Sequence, residues 1–101
     1  MSSTKKVKQT ARKGQVTATQ VMRLLEPSVE RHQPSDFRLI LKRARYNSAH
    51  DRWIVYFDTD QDDVDMLEYV RCLTDIEEEV TPKAKKLGFS VFLTSVGNPE
   101  L

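Results

Sequence analysis

Asp58, Asp60 and Asp62 stand at alternate positions in a turn that reads Asp58-Thr59-Asp60-Gln61-Asp62-Asp63-Val64-Asp65. Carboxylates at the first, third and fifth places of a loop are the donors of a calcium site. The match ends there. The sixth place holds Asp63 where such a loop turns on glycine, and the twelfth holds Tyr69 where it needs a bidentate glutamate. Asp58 and Asp60 after a hydrophobic strand also have the form of the magnesium-holding carboxylates of nucleotide-transferring enzymes. Those enzymes place a glycine-rich phosphate grip before the pair, and none precedes it here. The turn is therefore read as a polar turn and helix cap, with no metal ion and no cofactor expected.

Nucleophilic and acid–base chemistry find no better footing. Cys72 is the only cysteine, which leaves no intrachain disulfide and suits a reducing compartment. No histidine lies at zinc-ligand spacing from it. His32 falls near the end of a predicted helix, where a proton on the ring would favour the helix dipole, and no Ser-His-Asp or Cys-His set accompanies it. The expectation is a protein that is not an enzyme.

Positive charge offers more. Lys5, Lys6, Lys8, Arg12 and Lys13 crowd the first fourteen residues, whose apolar content beyond Met1 is Val7 and Ala11. Such a stretch cannot bury a core, so residues 1–14 are predicted to be a disordered basic arm. A flexible polycation binds nucleic acid by releasing counterions from phosphates, without a fixed geometry. A second group, Arg38, Lys42, Arg43 and Arg45, lies on one predicted strand, with Tyr46, Trp53 and Tyr56 near it in the same hairpin. Cations and aromatic rings on a sheet face can hold phosphates and stack bases. No RNP-type motif is present.

These groups belong to one strongly asymmetric chain. Residues 1–50 carry eleven Lys/Arg against three Asp/Glu, and residues 51–101 carry five against twelve, which leaves the formal charge at +1. Unlike ends of this kind suit either a nucleic-acid arm or self-association. The 101 residues are enough for one small domain, expected over 15–101. No apolar stretch has the length of a membrane span and no secretory leader is recognisable, so a cytoplasmic protein is the default expectation.

The positioning elements follow from periodicity. Val21, Leu24, Leu25 and Val29 mark a helix over 17–32, capped by Thr17 or Thr19 and interrupted or kinked at Pro27. Phe37, Leu39 and Leu41 alternate with Arg38, Ile40 and Lys42 and predict a strand over 37–46 with the first set inward. Residues 47–51 supply turn chemistry, and Trp53, Val55 and Phe57 alternate with Ile54 and Tyr56 in a return strand over 52–58. A helix is predicted over 62–80 with Asp60 or Asp62 as its cap, then a short helical piece over 82–87 restarted by Pro82 and stopped by Gly88. Residues 89–96 make the last strand, followed by a frayed tail.

The order α-β-β-α-β predicts an α/β domain of the α+β type, with a three-stranded mixed sheet and both helices on one face. The last strand is expected beside 37–46. The opposite sheet face would then expose Arg38, Ile40, Lys42, Tyr46, Ile54, Tyr56 and Phe92, and a second copy in a homo-oligomer or another partner is the usual cover for such a face. Two functional expectations result. The first is a non-enzymatic nucleic-acid-associated regulatory or accessory protein using the arm and the basic strand. The alternative is a protein-interaction module of inhibitor, immunity, antitoxin or assembly type. Its contact residues would be Ile40, Tyr46, Tyr56 and the acidic run Glu77, Glu78 and Glu79, which sits where the helix dipole disfavours negative charge.

Overall fold

The computed structural model describes residues 16–96. The basic arm predicted over residues 1–14 and the tail after Val96 lie outside the described residues. The described elements are α1 (Ala18–Arg31), β1 (Leu39–Asn47), β2 (Arg52–Thr59), α2 (Met66–Lys86) and β3 (Val91–Ser95). They form one α+β domain with a three-stranded mixed sheet, in the predicted α-β-β-α-β order.

Thr17 starts α1 through a complete capping box. Its hydroxyl accepts from the Gln20 amide at 3.2 Å while the Gln20 side chain accepts from the Thr17 amide at 2.8 Å. Val21, Leu25 and Val29 are buried on one stripe of the helix. Pro27 does not break it, because the residue is exposed and the carbonyl it leaves unbonded can be hydrated. After α1 the chain is braced by Gln33, whose side-chain amide donates to the Leu39 carbonyl at 3.0 Å and accepts from the Leu39 amide at 2.8 Å. That exchange satisfies backbone groups at the start of β1, which is an edge strand.

The sheet order departs from the sequence expectation. It is β1-β2-β3, so β3 lies beside β2 and parallel to it, while β1 pairs with β2 antiparallel. The physical reason is in β2. Trp53, Ile54, Val55, Tyr56 and Phe57 are all buried, so this strand belongs at the centre of the sheet with a neighbour on each edge. β1 carries Lys42, Arg43 and Arg45 and belongs at an edge, where charge discourages further pairing.

One sheet face carries the core. Leu39, Trp53, Val55, Phe57, Val91 and Leu93 meet Val21, Leu25 and Val29 of α1 and Tyr69, Cys72, Ile76, Val80 and Ala84 of α2. Tyr69 donates to or accepts from Ser95 at 2.6 Å and meets Phe37 edge-on, tying α2 to β3 and to the loop before β1. Burial raises the Tyr69 phenol above its ordinary value, against the Ser95 hydrogen bond and with help from the negative charge of Asp58.

α2 also differs from expectation. Its cap is Asp65, whose carboxylate accepts from the Leu67 and Glu68 amides at 3.0 and 3.4 Å. Asp60 and Gln61 are used elsewhere. Asp60 accepts from the Arg38 amide at 2.8 Å, and Gln61 donates to the Asp36 carbonyl at 3.0 Å. The helix then runs through the exposed Pro82 without a restart. Gly88, at φ 92°, accepts the left-handed backbone that follows it. Glu77, Glu78 and Glu79 are therefore in the middle of a helix, and the last turn holds Lys83, Lys85 and Lys86, which the dipole favours. The electrostatic misfit expected at the acidic run does not exist. Among the described residues no helix is long and apolar enough to cross a membrane.

Candidate nucleic-acid interface

The basic strand is organised by a bulge. Leu41 lies opposite Phe57, but Arg43 lies opposite Tyr56, so Lys42 is an extra residue in β1. A strict alternation would carry Arg43 and Arg45 to the same face as Leu39 and Leu41. The bulge reverses the phase. Leu39 and Leu41 face the core before it, and Ala44 faces the core after it. Arg43 and Arg45 consequently project to the open face, beside Ile54 and Tyr56 in register, with Phe92 and Thr94 of β3 completing the row.

The same shift corrects two expectations. Tyr46 is not on the open face. It lies directly opposite Trp53, with the two rings tilted and their centroids 5.5 Å apart, and its hydroxyl donates to Asp51 at 2.6 Å. Ile54 and Tyr56 do lie on the open face but are not exposed, at 1% and 4% of their full surface. The chain's own arginines help to cover them. The Arg43 guanidinium stands 4.5 Å from the centre of the Tyr56 ring, and Arg45 donates to the Tyr56 hydroxyl at 3.3 Å. Arg52 opens β2 and lays its guanidinium 4.4 Å over Phe92, which stays 39% exposed. Contacts of this kind hold the Arg43 and Arg52 cations against aromatic faces, and the Arg52 Nε is buried with no hydrogen-bond partner among the described residues. Arg52 was not singled out from the sequence because it begins a strand and stands apart from the other cations. The alternation of Arg52 with Ile54 and Tyr56 was the signal that could have found it.

The face is graded. Arg43, Arg45 and Arg52 occupy its hairpin half, and Asp58, opposite Ile40, marks the other end. Ile40 is half-buried there. The remaining predicted cations separate from this group. Arg38 pairs with Glu30 at 2.8 Å, and Lys42 is exposed at the bulge. Lys5, Lys6, Lys8, Arg12 and Lys13 lie outside the described residues.

Glu79 joins the two helices, pairing with Arg31, with His32 at 2.8 Å and with Lys83 at 3.6 Å. Glu77 and Glu78 make no ion pair or hydrogen bond among the described residues. In the acidic turn Asp58 accepts from the Thr59 amide at 2.8 Å, and Asp60 and Asp65 are committed to backbone amides. Among the described residues no three His, Cys, Asp or Glu side chains group to hold a metal ion. Cys72 is buried, and desolvation, with Glu68 beside it, pushes its thiol above the ordinary value, which disfavours the nucleophilic thiolate.

The arrangement can hold anionic oxygens along the hairpin half of the open face and present one partly exposed ring among them. Comparison with protein-family models, with curated proteins and with solved structures finds no match to this chain.

Proposed function

We propose that this is a non-enzymatic, nucleic-acid-associated accessory protein of the cytoplasm. Its folded domain meets the nucleic acid through the open sheet face, and its basic arm supplies further phosphate contacts. The observation that carries the reading is the convergence of Arg43, Arg45 and Arg52 over Tyr56 and Phe92 on one face. Arginine matches phosphate geometry and keeps its charge when partly desolvated. Phe92 adds a surface on which a base of a single strand can stack, a contact worth about 1–3 kcal/mol in such sites. The bulge supports the reading because it turns two arginines away from the helices and onto the opposite sheet face.

The test is equilibrium binding of the full chain to labelled single-stranded RNA, single-stranded DNA and duplex DNA across a salt series. The expected result is binding that falls steeply with salt. The Arg43→Ala/Arg45→Ala variant should bind more weakly, with the log–log salt slope smaller by roughly 1.4–1.8 for two lost phosphate contacts. Absence of binding at low salt overturns the proposal. A second reading, as a protein-interaction module, is favoured by the exposed Met66, Leu67 and Val70 at the start of α2.

A further inference from the structure

We infer that the outward face of α2 docks a basic amphipathic helix of a protein partner. This surface is separate from the arginine-bearing sheet face, since α2 packs against the other side of the sheet.

Leu67, Val70, Thr74, Glu77 and Thr81 follow at steps of three, four, three and four, the spacing of a heptad seam. The buried stripe of the same helix uses Tyr69, Cys72, Ile76, Val80 and Ala84, so the seam is not part of the core. Its first two members are apolar and exposed, Leu67 at 83% and Val70 at 55%, and Met66 beside them is 60% exposed. A seam of this spacing takes the side chains of a second helix between its own.

Charge decides what kind of helix. Glu77 on the seam and Glu78 beside it follow the apolar members, Asp62 and Asp63 precede the helix, and Lys85 stands one step beyond Thr81 at the far end. None of the four carboxylates makes an ion pair or hydrogen bond among the described residues. Arg71 borders the seam but its charge is already spent, since it pairs with Glu68 at 2.6 Å and Asp75 at 3.0 Å. An apolar patch with carboxylates at both ends complements an apolar stripe flanked by lysine or arginine. The same carboxylates repel nucleic acid, so the two surfaces select different partners.

The probe is a synthetic helical peptide of about three heptads, with leucine at the seam positions and lysine on the flanks. A matched leucine–glutamate peptide is the control. Fluorescence anisotropy reads binding to the full chain at about 0.15 M salt, where weak long-range attraction is screened. The lysine peptide should bind and the glutamate peptide should not. Leu67→Ser/Val70→Ser and Glu77→Gln/Glu78→Gln should each weaken binding about tenfold or more, equivalent to about 1.4 kcal/mol. A thermal melt of each variant confirms that the fold is kept. An affinity unchanged in Leu67→Ser/Val70→Ser makes the attraction one of charge alone and overturns the proposal. Binding seen only after removal of residues 1–14 would assign the surface to the chain's own arm, and also overturns it.

Discussion

Deleting Lys42 and deleting Ala44 remove neighbouring residues of the same strand, and the bulge predicts opposite consequences. Lys42 is the extra residue. Without it, Leu41 stays opposite Phe57, Arg43 opposite Tyr56 and Ala44 opposite Val55, now in a regular ladder. The inward and outward sets are unchanged. The cost is confined to the local change of twist, about 1 kcal/mol or less in either direction. Deleting Ala44 also lets the strand become regular, but Arg43 then takes the place opposite Val55. That place faces a core of Val55, Leu25 and their neighbours, where no carboxylate is found in the buried cluster. Ala44 is only partly buried, so the guanidinium can partly reach water. A penalty of about 3 kcal/mol is appropriate for a charge so placed, below the full cost of burial. With a urea slope of about 1.5 kcal/mol/M, the midpoint should fall by about 2 M. Urea unfolding followed by circular dichroism, with Trp53 fluorescence as a second probe, measures both variants. Equal losses in the two deletions, or a larger loss from deleting Lys42, would refute the phase-switch reasoning.

Three further outcomes follow from buried and bridging groups. The Ser28 hydroxyl is buried with no hydrogen-bond partner among the described residues, so Ser28→Ala should leave stability unchanged or raise it by about 0.5–1 kcal/mol, measured by urea melts. Cys72 and Tyr69 both have folded-state values raised above the unfolded ones, so their contribution is fully present below the unfolded values of 9.0 and 10.0 and is lost as pH rises through the folded ones. Stability should therefore decline above about pH 9, and a Cys72→Ala/Tyr69→Phe variant should show a flatter alkaline limb. Glu79→Gln should cost about 1 kcal/mol or less at neutral pH, because its partners Arg31 and Lys83 are largely exposed, and the loss should shrink at high salt.

Much of this fold is written in local chemistry. Thr17 and Gln20 mark a helix start by side chains alone, and Val21, Leu25 and Val29 keep one face of it inward. The hairpin, the second helix and the last strand are likewise legible from periodicity and turn residues. What was hidden depends on comparing elements. The five consecutive apolar residues from Trp53 to Phe57 signalled a central strand, but alternation alone made the strand look one-sided. The bulge left a trace in the change from odd inward positions, Leu39 and Leu41, to the even Ala44, which only the pairing with β2 makes visible. Five aspartates in one turn offered several caps. Asp65 became the cap because Asp60 and Gln61 were drawn away to Arg38 and Asp36, contacts that are 22 and 25 residues distant in sequence. The candidate interface was half legible. Arg43, Arg45 and Tyr56 were named, while Arg52 was not, and the burial of Tyr56 beneath a guanidinium lies beyond any alternation rule.

The arginine-bearing sheet face is proposed to meet nucleic acid. Backbone amide chemical shifts of the full chain, followed during titration with a single-stranded oligonucleotide, test it residue by residue. The largest changes should fall at Arg43, Arg45, Arg52, Tyr56 and Phe92, with α2 from Met66 to Lys86 nearly silent. Changes confined to the arm or to the helices, with the sheet face unmoved at saturation, would contradict it.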